Sequence, residues 1–388
     1  MTTEVLAPPT PPAFVSGLAG VVAAQTRLSH VDGEAGELLI AGYPVEDLAP
    51  RAAFEEVTYL LWHGALPTAA QLAEFRASLA AQRRLPPAAL PLLQAAAEAQ
   101  LPVMDALRLA AGTLGLAPGS SDADLRAAGA GLLARTATLV AAYWRLRQGQ
   151  APLAPRANLS HAANYLYMLT GEAPSAERAR GLETYLNTVV DHGLNASTFT
   201  ARVIISTGSD LVSALVGAIG ALKGPLHGGA PGPALDMVFE IGEANRAEAY
   251  LRAKLDRRER LMGFGHRVYK VRDPRADVLA AAAEQFFSTD GDRALYALAR
   301  AVEQVAVRLL AERYPQQRYQ TNVEYYTALL LHGLGMPTEL FSPTFAVSRA
   351  AGWIAHCIEH QVTGRIIRPQ SEYIGPRGLA YAPPAERA

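Results

Sequence analysis

Three histidines lie where glycines interrupt a helical pattern. His192 is part of "DHGLN", His227 of "KGPLHGGAPG" and His266 of "GFGHRV". Glycine has no Cβ, so the backbone beside each histidine can approach a ligand closely. One such histidine is usually a capping or core residue, but three in the same setting predict a ligand-binding or catalytic site. The other six are interpreted as surface or core residues: His30, His63, His161, His332, His356 and His360.

Positive charge is concentrated directly after His266. Four cations follow it within nine positions, at Arg267, Lys270, Arg272 and Arg275. Residues 250–275 hold nine Lys/Arg and three Asp/Glu, a local excess of six positive charges. A guanidinium is a planar fork that matches a carboxylate or phosphate through two parallel hydrogen bonds. We therefore expect a polycarboxylate or phosphate ligand, with further contacts from Arg349 and Arg368.

Charge and spacing exclude several classes of function. The net charge is −1 and no basic stripe is interleaved with aromatic residues, so nucleic acid is not an expected partner. The three histidines lack the short spacing of metal ligands and have no cysteine partners, so no metal site is expected. The longest apolar run, at residues 211–222, is shorter than the ~18 residues that span a bilayer, so no membrane partner is expected.

The single cysteine and the first residues bear on the compartment. Cys357 has no second cysteine to pair with, which favours a reducing environment. The opening "MTTEVLAPPTPPAF" lacks the basic and then apolar order of a signal peptide. We therefore expect a cytoplasmic protein with a disordered, proline-rich tail at residues 1–13.

The elements that would position these residues are predicted to be helices. Half of the residues are apolar, and good helix formers recur at three- and four-residue spacing. Amphipathic helices are predicted at residues 177–191, 292–314 and 348–361. One short β-hairpin is predicted at residues 36–49, and loops at 115–129 and 147–160. The predicted fold class is all-α, with helices packed on helices and a minor N-terminal hairpin.

Five sequence blocks, in this order, resemble the citrate synthase family. They are "DHGLNASTFTARV" (191–203), "KGPLHGGAPGPALDM" (223–237), "GFGHRVYKVRDPRA" (263–276), "TNVEYYTALLLHGLGMP" (321–337) and "FAVSRAAGW…IIRPQSEYIG" (345–375). The resemblance covers nearly the whole chain after residue 13, and the length is similar to that of the shorter, dimeric members. It implies a citrate-synthase-like fold with a large helical domain (14–223 and 336–388) and a smaller inserted helical domain (224–335).

The resemblance also implies a reaction. Acetyl-CoA, oxaloacetate and water would give citrate and CoA, so oxaloacetate and an acyl-CoA are the implied partners, with no cofactor and no metal. A carboxylate must remove a proton from the acetyl methyl group while a donor stabilises the enolate oxygen. By match to the family's motifs, Glu324 is the base, His227 is the donor to the enolate, and His266 polarises the ketone of oxaloacetate.

Substrate-binding roles are implied by the same match. The oxaloacetate set comprises His192, Arg275, Arg349 and Arg368. Arg368 corresponds to an arginine that the partner subunit of a homodimer contributes. The CoA set comprises Gly263, Gly265, Arg267 and Lys270. The site would lie in the cleft between the two domains, and closure of the domains would exclude water.

The sequence departs from the family's usual pattern at two positions, Glu324 and Ala41. Most of the family has aspartate where this chain has Glu324, and the extra methylene moves the carboxylate by about 1 Å, which can cost on the order of 100-fold in rate. Relatives commonly have arginine at the position of Ala41.

The sequence leaves two alternative functions open. The first alternative is 2-methylcitrate synthase, which uses propionyl-CoA and needs slightly more room at the acyl pocket. The second is a non-catalytic, ligand-sensing relative, for which Glu324 is the supporting feature.

Overall fold

The computed structural model describes residues 14–119, 124–228, 231–266 and 268–387, so the predicted tail at 1–13 lies outside the described residues. Most of the described chain is helical, which confirms the all-α prediction. The helices are α1 (Val45–Leu48), α2 (Phe54–His63), α3 (Ala69–Ala81), α4 (Ala89–Glu98), α5 (Val103–Ala111), α6 (Leu125–Arg147), α7 (His161–Thr170), α8 (Ala176–Val189), α9 (Ala196–Ile205), α10 (Leu211–Leu222), α11 (Pro231–Ile241), α12 (Ala247–Asp256), α13 (Pro274–Thr289), α14 (Arg293–Arg313), α15 (Val323–Gly333) and α16 (Phe341–Thr363). None of the described helices combines the length and apolar character needed to cross a membrane.

A small antiparallel sheet lies near the N-terminus. Its strands are β1 (Ser29–Asp32), β2 (Glu37–Ile40) and β3 (Tyr43–Pro44), in the order β1-β2-β3. The predicted hairpin at 36–49 is confirmed for β2 and β3, but its last residues form α1. Periodicity does not reveal β1, because the sequence Ser-His-Val-Asp contains one strongly apolar residue and is too short to show alternation.

The two predicted loops have different outcomes. Residues 148–160, all of which are described, form neither helix nor strand, as predicted. Residues 120–123 of the predicted loop at 115–129 lie outside the described residues. The prediction is wrong at its end, since α6 begins at Leu125. Asp124 caps this helix by accepting a hydrogen bond from the Arg126 N–H (2.9 Å). Small residues are typical of loops, but in α6 they allow α4, α5 and α16 to pack closely around the helix.

Three helices begin next to predicted site residues, and each starts at an Asn or Asp cap. Asn195 accepts from the Thr198 N–H at the start of α9 (3.1 Å). Asp273 accepts from the Arg275 N–H at the start of α13 (3.0 Å), where Pro274 supplies a pre-set helical φ. Asn322 does the same for α15 (3.2 Å). Side-chain caps thus fix where the chain enters these helices, and therefore where the site residues point.

Helix α16 runs through the centre of the fold and packs against α2, α6, α8, α9 and α10. Its residues 346–358 are buried on all sides. Gly352 lets this helix pass directly beside the end of α8, since an ideal Cβ at this position would lie 2.2 Å from the Val190 carbonyl oxygen. The absence of a side chain at Gly352 therefore sets the distance between α16 and the segment that carries His192.

The replacement Gly352→Ala is expected to separate α16 from the end of α8. We expect the free energy of unfolding to fall by about 1–3 kcal/mol, the usual cost of overpacking, as measured by denaturant titration. Gly181→Ala in α8 is the matched control, because its Cβ would make ordinary contacts of 3.5 Å and 3.6 Å with two leucines. Alanine's better helix propensity should make the control neutral or slightly stabilising. Equal losses in the two variants would contradict the close-approach explanation.

Candidate active site

Two loops of the candidate site are joined by backbone hydrogen bonds: the histidine loop (residues 263–266 and 268–273) and the base loop (residues 319–322). The Gly265 N–H donates to the Gln320 carbonyl (2.8 Å), and the Asn322 N–H donates to the Gly263 carbonyl (3.0 Å). Both glycines have positive φ, +87° and +79°, and a Cβ on either would lie 2.8 Å from a tyrosine ring. Glycine is therefore required at both positions, and the two loops form one unit.

His266 has one ring nitrogen fixed by the backbone of its own loop. Its Nδ1 accepts from the N–H groups of Val268 and Tyr269, both at 3.1 Å. A neutral imidazole that accepts at Nδ1 carries its proton on Nε2. Burial, and then the charge of Arg275, lowers the pKa of His266 from 6.5 to about 4. At neutral pH the ring is therefore a neutral donor through Nε2.

The turn between β1 and β2 supports the histidine loop from outside. The Lys270 N–H donates to the Gly33 carbonyl (2.8 Å). A Cβ on Gly33 would lie 2.2 Å from the Val268 carbonyl oxygen, so the two backbones are in contact. This contact holds in place the amide groups that orient His266, which gives the N-terminal sheet a direct part in the site.

His192 lies beside His266 and Tyr269. The two histidine ring centroids are 6.0 Å apart, and the Tyr269 hydroxyl lies 3.1 Å from His192 Nε2. Burial, followed by the charges of Arg275 and Arg349, holds the pKa of His192 well below its usual value. The ring is therefore neutral and can share hydrogen bonds with a ligand between the histidines.

Arg275 points toward His266 because its own cap holds it. Asp273 accepts from Arg275 Nε (3.0 Å) and Nη2 (2.8 Å) as well as from its backbone N–H. Arg275 Nη2 also lies 3.4 Å from His266 Nε2. Because both of these nitrogens carry protons, the contact joins two donors. An acceptor oxygen placed between them would receive a hydrogen bond from each.

Arg349 supplies a second buried guanidinium, from α16. Its Nε donates to the Val189 carbonyl (2.7 Å), and its guanidinium lies 4.7 Å from the Phe345 ring centroid. No residue in the described part of the chain accepts from its Nη1 or Nη2. Burial lowers its pKa to about 10, so it remains charged at neutral pH. A buried cation with unused donors is stabilised by an anionic ligand.

Glu324 is the second residue of α15, directly after the base loop. Its Oε2 is buried and, among the described residues, has no hydrogen-bond partner. Burial raises the pKa of this carboxyl, although the Arg275 charge opposes the increase. A carboxylate that is both desolvated and unpaired is a stronger base than one in water.

His227 is held by a serine that also contacts α16. Its Nε2 lies 2.9 Å from Ser197 Oγ, which accepts from Trp353 Nε1 (3.0 Å). Ser197 Oγ also lies 2.9 Å from Asn195 Oδ1, so its one hydroxyl proton has two alternative acceptors, Asn195 Oδ1 and His227 Nε2. When the hydroxyl donates to Nε2, the His227 proton is on Nδ1, where it can serve a ligand. Burial, then Arg349, lowers the pKa of His227 to about 4, so this ring is also neutral at pH 7.

Some predicted site residues stand apart from this group. Lys270 is exposed at the outer side of the histidine loop, and Arg368 is exposed in the segment after α16. Arg267 lies outside the described residues. Ala41 occupies the turn between β2 and β3 with a φ of +48°, and nothing in the structure explains its replacement of the arginine common in relatives.

Sequence patterns miss three contributors to the site: Ser197, Tyr269 and Asp273. Ser197 lies in "NASTF" with the composition of an ordinary helix start, and Tyr269 looks like a core aromatic. The signal for Asp273 is the "DPR" motif, since Asp before Pro is a typical cap and Arg follows within reach of its carboxylate.

The described site combines neutral ring donors, two buried guanidiniums and one unpaired carboxylate. No group of three metal-ligating side chains occurs in the described ranges. The guanidiniums suit a dicarboxylate, and the carboxylate with a nearby donor suits removal of a proton from a carbon next to a carbonyl.

Comparison with known proteins gives concordant results. A family model described as "Citrate synthase, C-terminal domain" matches residues 17–370. The citrate synthase of Haloferax volcanii is 41% identical over 380 residues, which cover 96% of this chain and 98% of that relative. The 2-methylcitrate synthase of Mycobacterium tuberculosis is 41% identical over 371 residues, covering 94% and 91%.

A solved structure has the same fold. It is the citrate synthase of Thermoplasma acidophilum, described as a ternary complex with carboxymethyl coenzyme A and oxaloacetate. It is 30% identical, with a TM-score of 0.84, over 95% of this chain and 98% of that one. On the family match and the near-complete coverage, the chain belongs to the citrate synthase family and is an enzyme that transfers an acyl group in a condensation reaction.

Proposed function

We propose that this enzyme condenses acetyl-CoA with oxaloacetate and hydrolyses the resulting citryl-CoA to citrate and CoA. The observation that carries the proposal is the buried, unpaired Oε2 of Glu324, which begins α15 next to the joined loops that carry His266. A base of this kind is needed to take a proton from a methyl carbon, and it would have no use in a protein that merely binds the ligand.

Oxaloacetate would bind between the histidine loop and α16. Arg275 and Arg349 would pair with its two carboxylates, and His192 would donate to one of them. The convergence of His266 Nε2 and Arg275 Nη2, 3.4 Å apart, supports a carbonyl or alkoxide oxygen between these two donors. Because His192 and His266 are both neutral, they add no repulsion to that between the two guanidiniums.

The chemistry would then proceed in three steps. Glu324 takes a proton from the acetyl methyl, and the electron pair moves onto the thioester oxygen, which accepts from His227. The enolate carbon bonds to the ketone carbon of oxaloacetate, and the thioester carbonyl re-forms. The ketone oxygen becomes an alkoxide held by His266 and takes the proton of Nε2, and the proton that Glu324 removed restores the neutral ring. Water then attacks the thioester of citryl-CoA, and breaking of the C–S bond releases the CoA thiol and citrate.

CoA would lie along the outer side of the histidine loop. The close backbone turns at Gly263 and Gly265 and the exposed Lys270 support this position, because an ammonium at the rim can pair with phosphate. Arg267 is proposed for the same role from sequence. In the Thermoplasma acidophilum complex, carboxymethyl coenzyme A and oxaloacetate are bound together, which supports adjacent sites in this chain.

Larger-scale properties are part of the same proposal. We propose a large domain of residues 14–223 and 336–388 and a small domain of 224–335 that close over the substrates. We further propose a cytoplasmic homodimer in which Arg368 of each subunit completes the oxaloacetate site of the other. The exposure of Arg368 outside its own chain's site supports that assembly.

A second candidate activity is 2-methylcitrate synthesis from propionyl-CoA. The observation that favours it is the 41% identity to the Mycobacterium tuberculosis 2-methylcitrate synthase, equal to that for the citrate synthase of Haloferax volcanii. Both activities use the same base, donors and oxaloacetate site. They differ by one methylene, which is worth about 1–3 kcal/mol in an acyl pocket.

The replacement Glu324→Gln is expected to lower kcat at least 100-fold, because an amide cannot accept the methyl proton. Thiol release with oxaloacetate and either acetyl-CoA or propionyl-CoA measures this loss, and the wild-type ratio of kcat/KM for the two acyl-CoAs decides between the two activities. The KM for oxaloacetate should change little. Glu339→Gln, at an exposed carboxylate, is the matched control. A Glu324→Gln rate within about threefold of wild type would remove Glu324 from the mechanism, and no thiol release by the wild type would favour the non-catalytic alternative.

The position of Arg368 can be tested by mixing two inactive variants. If Arg368 enters the partner's site, His266→Ala and Arg368→Ala homodimers should both be inactive. After free subunit exchange, half of the dimers are mixed, and each mixed dimer has one site with neither lesion. Roughly a quarter of all sites should therefore recover thiol release, by the symmetry of a two-fold dimer. No recovery after exchange has been verified by mass would assign Arg368 to its own chain or to no role in catalysis.

A further inference from the structure

Glu303, in the middle of α14, has a buried carboxylate with a full set of partners. Its Oε1 accepts from Thr321 Oγ1 (2.6 Å) and Arg272 Nη1 (2.9 Å). Its Oε2 accepts from Arg300 Nη1 (2.7 Å) and from the Tyr326 hydroxyl. Only 4% of the residue is exposed, so these four donors replace water around the charge.

The partners of Glu303 belong to both halves of the candidate site. Arg272 lies in the histidine loop, three residues before Arg275. Thr321 lies in the base loop, three residues before Glu324. One carboxylate oxygen therefore joins the two loops to each other and to α14, because Thr321 and Arg272 share Oε1.

This contact lies at the end of the histidine loop that the backbone ladder does not reach. The ladder joins the two loops at Gly263 and Gly265, before His266. After His266, the side chain of Arg272 connects the histidine loop to Thr321 of the base loop through Glu303. The joined unit is thus held at two points, one on each side of His266.

The contact requires a carboxylate rather than any polar group. Burial alone would raise the pKa of Glu303, but the hydrogen bonds from Thr321 and Tyr326 and the Arg272 charge hold it below the usual value. All four partners act as donors toward it. An amide would present an NH₂ group to two of them and lose those hydrogen bonds.

Glu303 lies outside the cleft that holds the predicted substrates. It lines a groove of about 720 Å³ between α13 and α14, together with Arg272, Arg300 and Gln320, and none of the three site histidines lines this groove. Any effect of Glu303 on the reaction must therefore act through the two loops. Without Glu303, Arg272 would keep its ion pair with Asp277 (Nε to Oδ1, 2.5 Å). Asp277 lies in α13, the helix that follows the histidine loop, so this pair does not connect Arg272 to the base loop.

We propose that Glu303 is a positioning residue that sets the distance between His266 and Glu324 by holding Arg272 and Thr321 on one carboxylate oxygen. This inference rests on the proposed function, in which these two residues act on the two reacting substrates. A misplacement of about 1 Å between reacting groups can cost on the order of 100-fold in rate. Loss of the contact should therefore affect turnover more than substrate binding.

The first test is Glu303→Gln in the full-length enzyme, assayed by thiol release. We expect kcat to fall by about 10- to 100-fold. The KM for oxaloacetate should change less than about threefold, because Arg275 keeps its hydrogen bonds to Asp273 and because His192 and Arg349 lie on other elements. Glu312→Gln is the matched control, since Glu312 is an exposed, ion-paired residue on the same helix (Arg308 Nη1 to Oε1, 3.1 Å). The control should keep wild-type kcat.

A second pair of variants removes or keeps the hydroxyl at position 321, and so distinguishes positioning from loss of folding. Thr321→Val should lower kcat by about 3- to 10-fold, and Thr321→Ser should stay within about twofold of wild type, because serine keeps the donor to Glu303. The double variant Glu303→Gln with Thr321→Val should be no more than about threefold slower than Glu303→Gln alone. Independent roles would instead multiply the two losses.

The outcomes are separable. If the wild-type enzyme releases thiol and Glu303→Gln has the same kcat, the inference is overturned and the proposed function is left intact. The inference is also overturned if Glu303→Gln loses activity only in proportion to the fraction of unfolded protein, while the folded fraction keeps the wild-type kcat. That result would assign Glu303 to stability alone. Equal rates for Thr321→Val and Thr321→Ser overturn the inference too. Wild-type protein that releases no thiol overturns the proposed function and this inference together.

Discussion

The candidate site depends on the burial of two guanidiniums next to histidines that stay neutral. Arg275 and Arg349 are almost fully inaccessible to water, and Asp273 is the carboxylate that pairs directly with Arg275. Burial disfavours the protonated form of the His266 ring and the charge of Arg275 adds to this effect, so the pKa of His266 falls to about 4. Burial, together with the charges that attract a dicarboxylate, therefore keeps the imidazoles in the form that donates one proton without carrying charge. Ligand binding and donor chemistry follow from one electrostatic arrangement.

The rest of the fold fixes the directions of these groups. Backbone amides of the histidine loop orient His266. The turn between β1 and β2 contacts this loop through Gly33, and Gly352 allows α16 to pack against the end of α8. Asn and Asp caps start the helices that follow the site segments. Glycine appears where a Cβ would separate two backbones, and carboxylates appear where several donors must converge. These contacts are short and specific, so small displacements of one element reach the reacting groups.

Much of this could be predicted from the sequence, and the remainder has a physical reason for being hidden. The helices at α8, α14 and α16 carry an apolar period, and the glycine-flanked histidines and the cation run are local patterns. The short strand β1 and the start of α6 show no such local pattern. Four residues are too few to show a period, and small residues suit loops as well as tightly packed helices. Ser197 and Glu303 act through contacts with residues tens of positions away or more, as in the Trp353–Ser197 and Arg272–Glu303 pairs. No spacing in the chain records such contacts.

The proposed chemistry depends on His266 being a neutral donor with its proton on Nε2. Ring ¹⁵N chemical shifts of the ligand-free protein, assigned by comparison with His266→Asn, measure both the charge and the tautomer. We expect a neutral Nε2–H ring from pH 8 down to pH 5, with protonation centred near pH 4, because burial and Arg275 lower the pKa of this group. An imidazolium at pH 7, or a neutral ring with its proton on Nδ1, would contradict the role of His266 as a neutral Nε2 donor.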